Sequence, residues 1–193
     1  EAQWMEFGAA LRAIHAAQLP DGLKEQIPAG TFSGQTRALV QAFLAQAEMR
    51  RFEEPTAAKT AAFLRARRDE INRMVLRVQE LAETLQTRRL ERVLCHADLH
   101  PGNLLIGTQR ELLRIVDWDA PIFAPRELDL ALIGGTRLWN EPRAIELFYQ
   151  GYGEAALDAK ALRYYRLERI LTDIAEFCKQ LLWSQEGGDD REQ

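Results

Sequence analysis

The sequence predicts an α+β fold, predominantly α, with a small antiparallel hairpin carrying the active-site loops between helices. Two observations lead there. Over most of the chain apolar residues recur at three- and four-residue steps, the period of an amphipathic helix. Between residues 93 and 116 that period gives way to apolar runs too short for helices, separated by polar and turn-forming residues, as strands are. Composition allows a real core: the chain has 193 residues, is 47% hydrophobic and 28% charged, and so suits one or two globular domains rather than a disordered chain.

Each element has its own signal. Trp4, Phe7, Leu11 and Ile14 recur at near-helical spacing, which predicts a helix from about Trp4 to Gln18, ended by the breakers Leu19-Pro20-Asp21-Gly22. Residues 27–34 read as a loop, and Leu39, Val40, Phe43 and Leu44 mark a second helix over 36–51. From Thr56 to Arg89 the apolar positions Leu64, Ile71, Val75, Val78, Leu81 and Leu85 make a long amphipathic helix with room for one break. Its Arg65, Arg67, Arg68, Asp69 and Glu70 fall mostly on the solvent face. The short runs follow: Val93-Leu94-Cys95, then Asn103 to Ile106, then Leu112 to Val116, with Gly107-Thr108-Gln109-Arg110 suited to a hairpin turn. After Pro121 and Pro125 helices return, over Glu127 to Ile133, over Ala144 to Gly151, and from Leu157 to about Ser184 with Leu167, Leu171, Ile174, Cys178 and Leu181 inward. Residues 1–185 form the folded body, and 186–193 are a polar tail.

The chemistry concentrates in His96-Ala97-Asp98-Leu99-His100-Pro101-Gly102-Asn103 and the later Ile115-Val116-Asp117-Trp118-Asp119. Alone, Asp98 reads as a turn cap, Asn103 as a turn residue after Gly102, and Asp117 as a strand-end cap. Together they form the set that phosphoryl transfer requires. One Asp accepts the proton of the attacking hydroxyl, while an Asn and a second Asp hold Mg²⁺ against the phosphates of ATP or GTP. Hard Mg²⁺ takes oxygen ligands, which an amide and a carboxylate supply. This assigns Asp98 as catalytic base and Asn103 and Asp117 as metal ligands.

These blocks, with the continuation Pro125-Arg126-Glu127-Leu128-Asp129-Leu130-Ala131 and the early Leu11-Arg12-Ala13-Ile14-His15, resemble the carboxyl-terminal lobe of the aminoglycoside phosphotransferase and choline kinase superfamily. A narrower resemblance, to the spectinomycin phosphotransferase branch, rests on 118–121, Leu132-Ile133-Gly134-Gly135, Trp139-Asn140, 148–153, 164–170 and 173–176. The resemblance implies a protein-kinase-like fold and O-phosphorylation of a small hydroxylated, cationic acceptor such as an aminoglycoside or aminocyclitol. Choline, homoserine, methylthioribose and macrolides are the superfamily's other acceptors. It also implies that His96 packs and hydrogen-bonds to hold the catalytic loop. His100 either sits near the phosphates or fills that loop. Asp119 and Asp129 are assigned to loop and helix-start structure, with Asp119 near the metal, and His15 to a buried hydrogen bond. Trp139, Tyr165, Glu168 and Asp173 are the candidates for meeting the acceptor; the competing reading is core packing for the aromatics and an Arg partner for Glu168.

Other features narrow the field. With 25 Lys and Arg against 29 Asp and Glu the net charge is −4, which gives no general attraction to nucleic acid or anionic membrane. No apolar run reaches a membrane span, and no signal peptide is visible, so the expected location is the cytoplasm, where Cys95 and Cys178 stay reduced. The spacing His96-x-Asp98-x-His100 also suggests metal-assisted hydrolysis, but the chain has 3 His and a closed site needs further ligands. The chain starts inside a helical pattern and carries neither a Gly-rich phosphate-covering loop nor the upstream strand Lys. The expectation is therefore a lobe without its nucleotide lobe, inactive or nearly so by itself, or a lobe that binds a ligand or partner without transferring phosphate.

Overall fold

The structure, a computed structural model, describes residues 1–107, 113–136 and 139–183. The turn expected at Thr108-Gln109-Arg110, the position of Leu112 and the polar tail 186–193 lie outside the described residues. The fold is α+β and predominantly α, and the chain divides into two compact units. One comprises Glu1–Thr31 with Thr87–Arg166; the other comprises Phe32–Gln86 with the chain from Leu167 onward.

In the first unit, helix α1 (Ala2–His15) starts and stops earlier than the periodicity predicts, and α2 (Asp21–Lys24) forms a single turn within the breaker cluster. Strand β1 (Val93–Cys95) leads to a 3₁₀ turn at Pro101–Asn103, then β2 (Leu104–Ile106) and β3 (Leu113–Ile115). Strands β2 and β3 pair antiparallel with Leu104 opposite Ile115, which is the expected hairpin. A fourth strand, β4 (Ile122–Ala124), pairs antiparallel with β1, Cys95 opposite Ile122. The sequence reading places helices directly after Pro121 and Pro125 and has no strand there. The prolines bracket the strand instead of interrupting it, so its ladder N–H groups survive. The expected helix over 127–133 shortens to α6 (Glu127–Leu130).

Helix α7 (Pro142–Tyr152) begins at Glu141, whose carboxylate accepts from the Arg143 and Ala144 amides. It crosses α1 almost backbone to backbone: a Cβ on Gly8 would lie 2.0 Å from the Phe148 carbonyl oxygen, and one on Gly151 1.8 Å from that of Met5. Only glycine permits this approach. Phe7, Leu11, Leu99, Leu130, Ile133, Trp139, Phe148 and Tyr152 form the unit's core, with Phe7 edge-on to Phe148 at 5.1 Å.

The second unit holds α3 (Gln35–Met49), α4 (Pro55–Ala66) and α5 (Arg68–Gln86), so the long amphipathic segment breaks once, at Arg67. Ile71, Val75, Val78, Leu81, Ala82 and Leu85 make the buried stripe of α5. The last helix, α8 (Ala159–Cys178), enters this unit at Leu167 and continues as a wider π turn at Lys179–Trp183. Leu171 and Cys178 are buried as expected, whereas Ala175 and Leu182 replace Leu167, Ile174 and Leu181 as the other buried side chains. Both cysteines are free and buried, and burial pushes the Cys178 thiol up to about 11. Among the described residues no helix is long and apolar enough to cross a membrane.

Candidate active site

The loop after β1 is built on a buried carboxylate. Asp129, in α6 and 1% exposed, accepts from the His96 amide at 2.8 Å through Oδ2 and from the Ala97 amide at 2.9 Å through Oδ1. Ala97 sits at φ +71°, a left-handed conformation that costs an L residue about 1–2 kcal/mol, so the carboxylate holds the chain where it would not otherwise stay. Asp98 follows immediately, and its side chain is half exposed.

His96 is 1% exposed and joins this loop to the hairpin. Its Nε2 lies 2.8 Å from the Val116 carbonyl oxygen, and the Asp98 amide approaches its Nδ1 at 3.3 Å. That pattern assigns the neutral Nε2–H tautomer. The Trp118 ring packs edge-on against the imidazole at 4.7 Å. His100 caps the 3₁₀ turn, its Nδ1 accepting from the Gly102 amide at 3.1 Å, while its Nε2 lies 3.7 Å from Asp98 Oδ2. With Nδ1 and Nε2 of His96 both engaged by backbone, His96, Asp98 and His100 do not converge as metal ligands.

Asn103 is 5% exposed and donates through Nδ2 to the Asp98 carbonyl oxygen at 2.9 Å. Its own carbonyl accepts from the Val116 amide at 3.0 Å, which extends the β2–β3 ladder by one residue. Asp117, next in the chain, turns out of that ladder at φ +66°, and its side chain is exposed. Asp98, Asn103 and Asp117 are thus drawn into one cluster by hydrogen bonds at or beside each of them. Asp119 lies in the exposed bend that follows.

The oxygen chemistry of this cluster fits a hard divalent cation. Because Asn103 spends its amide N–H on Asp98, its Oδ1 remains an acceptor, and no donor among the described residues reaches it. A buried amide oxygen without a donor, with exposed carboxylates on the bonded Asp98 and on Asp117 beside Val116, is the donor set Mg²⁺ prefers.

Each of the four acceptor candidates has contacts within its own unit. Trp139 is 5% exposed, in the first unit's core, edge-on to Phe7 at 5.5 Å. Tyr165 is half-buried beside Tyr164, and burial pushes its phenol up. Glu168 pairs with buried Arg37 at 3.3 Å; burial raises its carboxyl against the pull of that guanidinium. Asp173 accepts from Arg169 one helical turn earlier, at 3.0 Å. Two buried partners escaped the sequence reading. Asp129 reads as a helix-start residue, and nothing in the sequence signals that Tyr152 meets His15, 137 positions away, at 2.7 Å.

Asp98 in the loop after β1, Asn103 in the 3₁₀ turn and Asp117 just past β3 thus sit on the short strands and turns of a mainly helical unit. A model of the phosphotransferase enzyme family matches residues 1–167, and the chain belongs to that family. Two solved structures of spectinomycin phosphotransferase, APH(9)-Ia, are similar over almost the whole chain. The complex with ADP and spectinomycin is 36% identical with a TM-score of 0.89, over 98% of this chain and 58% of that one. The AMP-bound complex is 37% identical with a TM-score of 0.86, over 94% of this chain and 58% of that one. This chain therefore spans little more than half the length of those relatives. A Plasmodium vivax ethanolamine kinase shares the fold, at 17% identity and a TM-score of 0.56, over 96% of this chain and 54% of that one. Comparison with curated proteins yields no match.

Proposed function

We propose that this chain carries the catalytic lobe of an ATP- or GTP-dependent O-phosphotransferase acting on a small hydroxylated, cationic acceptor, an aminocyclitol or aminoglycoside antibiotic first among them. The observation that carries the reading is the bonding of Asp98, Asn103 and Val116, next to Asp117, through hydrogen bonds at Asn103. The similarity to structures of spectinomycin phosphotransferase supports the acceptor class.

In this reading Asp98 orients the acceptor hydroxyl and takes its proton as the bond to phosphorus forms. Its half-exposed carboxylate, on a loop fixed by Asp129 and His96, suits a base that must meet a diffusing acceptor. Asn103 Oδ1 and the Asp117 carboxylate would hold Mg²⁺. Bound there, the metal neutralises charge developing on the transferred phosphoryl group. Holding Asp98 and both ligands in place before substrate arrives lowers the entropic part of the barrier. Location in the cytoplasm fits two buried, unpaired thiols.

The spectinomycin phosphotransferases extend well beyond the matched region. The elements that cover the nucleotide are accordingly proposed to lie outside these 193 residues. The chain by itself is then expected to bind nucleotide weakly and to turn over little.

The test is transfer of labelled phosphate from MgATP, by the full-length protein, to spectinomycin, other aminoglycosides, choline and methylthioribose. Transfer to one acceptor, abolished by Asp98→Ala, supports the reading. Failure to bind MgATP at all contradicts it.

A further inference from the structure

The loop before Asp98 is tied to a buried polar chain that the phosphoryl-transfer chemistry does not itself use. Tyr152 is 2% exposed at the end of α7, His15 is 8% exposed at the end of α1, and Asp129 is 1% exposed in α6. His15 Nδ1 lies 2.7 Å from the Tyr152 hydroxyl and His15 Nε2 lies 3.1 Å from Asp129 Oδ2.

With His15 neutral, the protons along this chain can be placed only one way. Asp129 already accepts from two backbone amides, one on each oxygen, so it serves as a carboxylate acceptor. His15 Nε2 must then carry a hydrogen and donate it. That leaves Nδ1 as a bare acceptor, and the Tyr152 hydroxyl must donate to it. The Arg126 guanidinium, which pairs with Glu91, lies near the Tyr152 hydroxyl. Burial pushes the Tyr152 phenol up to about 12, and the Arg126 contact opposes that rise, so the hydroxyl keeps its proton at any working pH.

We infer that Tyr152 is a positioning residue for the proposed phosphotransfer site: its hydroxyl anchors the His15 ring at Nδ1 and so keeps Nε2–H on Asp129, which holds Asp129 on the His96 and Ala97 amides and so fixes Asp98. The inference rests on the phosphotransferase reading of Asp98. Its physical basis is the two-point hold on the ring. Without the hydroxyl, Nδ1 is left a buried acceptor with no donor, and the His15 ring turns to satisfy it, loosening the Nε2–H bond to Asp129. Asp129 then shifts, and Ala97 relaxes from its left-handed conformation, carrying Asp98 with it. The tie acts on the geometry of the attacking end and leaves substrate contacts alone, so it predicts a loss in kcat without a matching change in KM.

The experiment compares full-length protein with its Tyr152→Phe variant, using long-range ¹H–¹⁵N correlation spectra of the histidines together with steady-state kinetics. The wild type is expected to show His15 as a single Nε2–H tautomer. In Tyr152→Phe the His15 resonances leave that pattern, and kcat falls about tenfold, the equivalent of one buried hydrogen bond, with both KM values within about twofold. An unchanged His15 spectrum, or an unchanged kcat, overturns the inference, and so does a loss confined to KM. Should Tyr152→Phe not fold, His15→Gln and His15→Leu decide. The Gln amide can donate to Asp129 without any tautomer to fix, so it is expected to retain kcat within about threefold while Leu loses about tenfold. Equal losses in the two overturn the proposal. A wild type inactive on every acceptor counts against the phosphotransferase reading instead, and the His15 spectrum still reports on the chain of hydrogen bonds.

Discussion

Replacing Asp129 by Asn removes one charge and changes almost no volume, so its cost can be worked from three bonds. The carboxylate accepts from the His96 amide at 2.8 Å, the Ala97 amide at 2.9 Å and His15 Nε2 at 3.1 Å, at a site 1% exposed. An Asn has one acceptor oxygen. Its better orientation puts that oxygen at the Oδ2 position, serving His96 and His15, and turns its NH₂ onto the Ala97 N–H. One buried donor is left facing another, at about 1–3 kcal/mol, and the two surviving bonds lose charge assistance at about 1 kcal/mol each. The total is about 4 kcal/mol, a large part of the about 5–15 kcal/mol that holds a typical domain together. Urea unfolding measures the loss, and amide hydrogen exchange at Ala97 locates it. A loss under about 1 kcal/mol, or an Ala97 amide as protected as in the wild type, would refute the view that Asp129 holds the catalytic loop.

Further substitutions test other links. Gly151→Ala, whose new Cβ would meet the Met5 carbonyl oxygen at 1.8 Å, is expected to cost more than about 3 kcal/mol in thermal or urea unfolding. Gly22→Ala, in a helical turn with nothing within 4 Å of its Cβ, should instead stabilise by about 0.5 kcal/mol. Asp158 accepts from the Lys160 and Ala161 amides at the start of α8, and Asp158→Ala should cost about 1 kcal/mol at neutral pH. Burial raises its carboxyl, but Arg88 and those amides outweigh burial and hold it below the usual value. With the folded pKa depressed, its contribution is full above the unfolded pKa and disappears as pH falls through the folded one. The wild type and Asp158→Ala should therefore converge in stability on acidification; a constant gap down to the lowest pH would contradict that account.

What the sequence made legible was local. The stripe Ile71, Val75, Val78, Leu81 and Leu85 specifies α5 because its period can be satisfied only by burying one face of a helix. The hairpin and the nearness of Asn103 to Val116 follow from two apolar runs close together in sequence. Strand β4 was not legible, because Ile122-Phe123-Ala124 is short, bracketed by prolines and defined by pairing with β1 and with the loop at Ala29. The turn at Asp21–Lys24 hid in the same way, inside residues that ordinarily break helices. The chain through Tyr152, His15 and Asp129 joins positions 137 and 114 residues apart, and no periodicity or motif reports a contact of that range.

The central claim is that Asp98 is the base of a phosphoryl transfer, and its most direct test is the single-turnover rate of Asp98→Asn in the full-length protein. Asn keeps the shape and removes the proton acceptor. The account predicts a rate reduced about 10²–10⁴-fold, with MgATP affinity and unfolding midpoint close to those of the wild type. A variant that transfers phosphate within a few-fold of the wild-type rate would contradict it.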